Sequence, residues 1–124
     1  MSVATLVQLS AVVIDEPTPN ETVGTSFQAN GTYSIDTKLG QGYVMWQVQP
    51  AGDPPSSTEW QPTSDLKPSA NPQSEGWDGC DTAASQPWSC MATSTTGSKT
   101  FYAAAFTPRS PIPVAIGSVN ITVS

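Results

Sequence analysis

The sequence of 124 residues has no histidine, only two cysteines (Cys80 and Cys90), and only four cations: Lys38, Lys67, Lys99 and Arg109. Without histidine, the commonest general base and the usual partner of a nucleophilic serine or cysteine is missing, which argues against a Ser or Cys hydrolase. Two cysteines without histidine supply half of a zinc site unless two chains share it. Four separated cations, in a chain of net charge -6, do not form the basic cluster that neutralises phosphates, so no nucleic-acid partner is expected. The apolar runs, residues 11–14 among them, are far too short to cross a bilayer as a helix, and no membrane partner is expected. Long helices are excluded in turn by twelve prolines, which are expelled from helix interiors.

What is present is rich in Ser, Thr, Gly, Ala and Val, and it alternates. The length suits one domain over 1–124 with a core of its own. Short blocks of alternating apolar and polar residues, bounded by Pro, Gly, Asn and Asp, predict half-buried strands joined by turns. The blocks are Thr5 to Ile14, Ser26 to Ile35, Tyr43 to Gln49, Thr58 to Gln61, Met91 to Ser94, Thr100 to Phe106 and Ser118 to Ser124. On the third block Val44, Trp46 and Val48 share one face; Tyr43, Met45, Gln47 and Gln49 share the other. Residues 50–90 carry seven prolines and are read as a loop-rich insertion. The N-terminus MSVATLVQLSAVVIDEP has no positive n-region and is interrupted by Gln8 and Ser10. It is read as a first strand instead of a signal peptide, and the chain as a complete small protein.

The fold class expected is therefore all-β, an antiparallel sandwich of about seven strands. The order of blocks resembles an immunoglobulin-like domain, with SFQANGTYSI as second strand, YVMWQVQP as third, KTFYAAAF as sixth and GSVNITVS as the closing strand. It is most similar to the immunoglobulin-like modules of tailed-phage virion proteins and bacterial surface proteins. The resemblance implies Trp46 as the core tryptophan between the sheets and Tyr102 as a tyrosine-corner-like core residue. One departure is plain: antibody-type domains bridge the second and sixth strands with cysteines, and those strands carry none here.

The remaining chemistry-bearing residues lie in the insertion. Cys80 and Cys90 are ten residues apart, which permits a local disulfide contributing roughly 2 to 3 kcal/mol; free thiols or a redox pair are the alternatives. If formed, the disulfide implies an oxidising environment. Trp60, Trp77 and Trp88 are candidates either for partner contact or for a satellite core beneath the loop. Asp53, Glu59, Asp65, Glu75, Asp78 and Asp81 could pair as glycosidase carboxylates, or Asp78 and Asp81 could meet calcium. Nothing local favours either over solvated acids, and neither a metal nor a cofactor is expected.

The expectation for function is a non-enzymatic structural or attachment protein on a virion surface, a bacteriophage capsid-decoration or tail-associated protein. Its partners would be a viral capsid or tail protein, with many copies on a lattice. The alternative is an extracellular or cell-surface module that binds a surface glycan through Trp60, Trp77 and Trp88.

Overall fold

A computed structural model describes residues 11–34, 43–63, 86–107 and 112–124. Among the described residues there is no helix; eight strands form two sheets. They are β1 (Ala11–Glu16), β2 (Glu21–Val23), β3 (Ser26–Ser34), β4 (Tyr43–Pro50), β5 (Gln61–Pro62), β6 (Gln86–Thr93), β7 (Gly97–Phe106) and β8 (Ala115–Val123). One sheet has the order β1-β3-β6 and the other β2-β8-β7-β4-β5. Every pairing is antiparallel except β2 with β8. The chain leaves the first sheet after β1 and enters the second at β2, and the Glu16–Pro17 bond between them is cis.

Alternation builds the core. Phe27, Ala29 and Tyr33 of β3 and Trp88 and Ala92 of β6 meet Val44, Phe101, Ala103, Val119 and Ile121 of the second sheet in one cluster. Side chains on a strand project to opposite faces with period two, so these alternate residues fall on one side of each sheet. Phe101 is the pivot of that cluster. Its ring is stacked with Trp46 and Trp88, each at 6.3 Å, and edge-on to Phe27 at 5.8 Å. Aromatic surface thus joins the two sheets. Burying each such side chain contributes roughly 1.5–3 kcal/mol.

Gly31 is required by this packing. It lies inward on β3, opposite Trp88 on one side and Ile14 on the other. A Cβ there would collide with the Val13 carbonyl. Without one, the β1 backbone closes over β3, and the Trp88 indole N–H donates to the carbonyls of Val13 (3.1 Å) and Thr32 (3.2 Å).

Several strand boundaries differ from the sequence reading. β1 runs on through Asp15 and Glu16, which read as a turn, while residues 5–10 lie outside the described set. β6 begins five residues before Met91, so its first half falls inside the segment read as loop. Proline is confined to sheet margins and strand ends, and Pro87 is tolerated because β6 is the outermost strand of its sheet among the described residues. β2 is a three-residue strand that alternation over a longer window does not reveal.

Candidate functional site

The outer face of the five-stranded sheet divides into a polar half and an apolar half. In register across β4 and β7 lie Gln49 opposite Thr100, Gln47 opposite Tyr102, Met45 opposite Ala104, and Tyr43 opposite Phe106. Over the polar half runs a strap, residues 51–60. It leaves β4 through Gly52, whose φ of 89° lies in the left-handed region glycine favours. Gln47 is only 2% exposed, and its amide copies a strand pairing: Nε2 donates to the Ser56 carbonyl (2.9 Å), and Oε1 accepts from the Ser56 N–H (2.7 Å). The Tyr102 hydroxyl donates to the Asp53 carbonyl, and the Gly52 N–H donates to Thr100 Oγ1 (3.3 Å).

The strap ends on the apolar half. Trp60 meets Phe106 edge-on at 5.4 Å, and Phe106 stacks on Tyr43 at 5.5 Å. With Met45 and Ala104 these residues form a second hydrophobic cluster. Trp60 therefore belongs to a satellite core, one of the two roles its loop position suggested.

Beside this cluster an aliphatic ridge is exposed. Ile112 (71%), Val114 (37%) and Ile116 (48%) occupy alternate positions leading into β8, with half-buried residues between them. The Val114 N–H donates to the Ala105 carbonyl (2.8 Å), fixing the ridge to β7, and Ile116 sits opposite Ala104 in the ladder. These three branched side chains form a row of exposed aliphatic surface.

A polar groove of about 340 Å³ opens at the opposite margin of the sheet. Trp46 and Val48 of β4 line it, with Glu59 and Gln61 on one side and Ser94, Thr95 and Lys99 on the other. The Trp46 indole N–H donates to the Pro62 carbonyl (3.1 Å), and Lys99 Nζ donates to Thr95 Oγ1 (3.0 Å).

Several site expectations change against this geometry. Trp88 is not on a loop: it is 2% exposed, committed to the core by stacking and by its indole N–H, and unavailable for partner contact. Trp77 lies outside the described residues. Trp46 packs against the main core and on Phe101, and is partly buried. Tyr102 is half-buried on the outer face, not in the inter-sheet core. Its hydroxyl reaches the strap after β4, not the turn that precedes its own strand, as a tyrosine corner would. Cys90 lies on β6 opposite Ala29 and packs on the core margin; Cys80 lies outside the described residues, and with it the pairing of the two. Asp53 and Glu59 are exposed strap residues, while Asp65, Glu75, Asp78 and Asp81 fall outside the described set. Among the described residues no group of three or more acidic or cysteine side chains converges on a metal-sized site.

Sequence reasoning missed Gln47, the ridge and the groove. A glutamine on the polar face of a strand reads as solvent-exposed, and Ile112 and Val114 flank a proline in what reads as a connection. The signal for the ridge was the spacing of aliphatics at 112, 114 and 116. No family model and no curated protein matches the chain.

Proposed function

We propose that this chain is an immunoglobulin-like sandwich acting as a non-enzymatic attachment protein on a virion exterior, a capsid-decorating or tail-associated protein of a bacteriophage. Strand order supports the fold part of the proposal. The order β8-β7-β4 matches the G-F-C face of immunoglobulin domains, and β1-β3-β6 matches A-B-E of the other face. β5 takes the place of the extra strand beside C in variable-type domains. The resemblance of the strand sequences to modules of tailed-phage virion proteins supplies the setting.

The ridge carries the attachment part. Ile112, Val114 and Ile116 expose aliphatic surface on a chain whose residues are only 11% charged. Covering these side chains with a capsid or tail protein gains, for each, only the still exposed fraction of the roughly 1.5–3 kcal/mol that full burial contributes. One contact of that size is weak, and display of many copies on a symmetric shell converts it into firm occupancy.

The test is add-back. Purified protein mixed with particles lacking it should cosediment with them, and the Ile112→Asp/Ile116→Asp double variant should lose at least tenfold in occupancy. Val13→Asp, on the other sheet and also exposed, should bind like the wild type. Failure of the folded wild-type protein to bind any capsid or tail component would falsify the assignment.

A further inference from the structure

Trp46 differs from the other described tryptophans in what its ring has left to offer. Trp88 is closed inside the core, and Trp60 has Phe106 against it. Trp46 is half-buried and lines an open groove. Its indole N–H is committed to the Pro62 carbonyl and its ring lies within 20° of parallel to Phe101, so its orientation is set before anything binds. Phe101 packs against the ring on the core side, and the part of the indole that the core leaves uncovered borders the groove.

The groove wall has a distinct composition. Glu59 supplies a carboxylate, Gln61 an amide, Ser94 and Thr95 hydroxyls, and Lys99 an ammonium. One acid and one base leave no net charge to select an anion or a cation. Donors and acceptors are both present, and each retains capacity. Glu59 Oε1 accepts from Gln49 Nε2 (3.2 Å) and Lys99 donates to Thr95, yet a carboxylate offers about four acceptor positions and an ammonium three donors. A flat apolar face with mixed hydroxyl, amide and charged groups at its rim complements a pyranose ring, which has C–H groups on its faces and hydroxyls around its edge. A nucleotide would need more cations than Lys99, and an aliphatic peptide would leave this rim unpaired. At about 340 Å³ the groove stands at the small end of ligand sites, which run from roughly 300 to 1,000 Å³.

We propose that this groove binds a hexose unit of a neutral glycan, stacked on Trp46 and hydrogen-bonded by Glu59, Gln61 and Lys99. It is a separate site from the aliphatic ridge and does not depend on the attachment reading. It also places sugar contact on Trp46, a residue outside the loop trio that the sequence suggested.

The probes are the methyl glycosides of glucose, galactose, mannose and N-acetylglucosamine, each beside its free reducing sugar, observed by saturation-transfer NMR on the wild-type protein. Transfer to the ring C–H protons of at least one glycoside is expected. Glu59→Ala, Gln61→Ala and Lys99→Ala should each reduce it severalfold without moving the thermal unfolding midpoint, and Met91→Ala on the other sheet should leave it unchanged. Trp46→Phe, which keeps a core ring but shrinks the stacking face, should weaken the same signal. Binding of a free sugar but not of its methyl glycoside overturns the glycan assignment, because a linked residue cannot then enter. Absence of transfer from all eight probes, or transfer unaltered in the folded Glu59→Ala/Gln61→Ala variant, overturns the site.

Discussion

Gly31 shows how one missing side chain sets the position of a whole strand. The Trp88 indole lies beside it, and the Val13 carbonyl descends into the space a Cβ would occupy. Gly31→Ala gains a little by restricting the unfolded chain, about 0.4–1 kcal/mol where the native site accepts the methyl. Here the obstruction is backbone and cannot rotate away. The substitution pushes β1 outward and stretches the Trp88 hydrogen bonds, so an unpaired buried donor or acceptor adds about 1–3 kcal/mol to the packing loss. The expected outcome is a net destabilisation of at least about 2 kcal/mol in urea unfolding, with a changed Trp88 indole N–H resonance. An unchanged midpoint would mean that β1 is not held by this contact. The sequence places NGT inside the strand block Ser26 to Ile35, but only the partner strand shows why a glycine stands there.

At the scale of elements, legibility followed length and alternation. β3, β4, β7 and β8 each run over eight or more residues, β3 and β8 alternate in burial along most of their length, and the residues assigned to each face of β4 fall on those faces. β2, with three residues, leaves no periodic trace, and the block read over Thr58 to Gln61 is strand only at Gln61, where the two-residue β5 begins, because β5 is defined by its pairing with β4. The strap was hidden for a different reason. Its proline-rich sequence announces a loop, but its path is fixed by Gln47 and Tyr102, polar residues that read as solvent-facing until something folds over them. Gln47→Ala leaves the Ser56 N–H and carbonyl without their partners, and it is expected to cost about 1–3 kcal/mol. The strap should loosen more than the sheet. Hydrogen exchange at the Ser56 amide should then speed up by at least tenfold, while amides in the middle of β7 keep their protection. Uniform acceleration at both places would show that Gln47 supports global stability and does not specifically hold the strap.

For the whole molecule, charge and apolar surface are separated in a way that bears on attachment. The chain carries a net charge of -6, so two copies, or a copy and an acidic shell, repel one another at long range. The ridge at Ile112, Val114 and Ile116 contributes no charge of its own. Docking by such a surface is driven by burial of apolar area, which salt does not screen, whereas the opposing repulsion is screened as the Debye length falls from about 10 Å at 0.1 M to about 3 Å at 1 M. Raising the salt from 0.05 to 0.5 M, both chosen for the assay on the basis of that screening range, should therefore leave particle occupancy unchanged or increase it. Isothermal titration against particles lacking the protein should give a negative heat-capacity change, the mark of apolar burial. A steep loss of occupancy with salt would instead assign docking to charged pairs and remove the ridge from the interface. Sugar binding at the Trp46 groove should respond differently, since a neutral ligand held by stacking and hydrogen bonds is indifferent to ionic strength and leaves the ridge free. Particles bound through the ridge should accordingly retain the saturation-transfer response of the free protein, and the two sites can be assayed on the same sample.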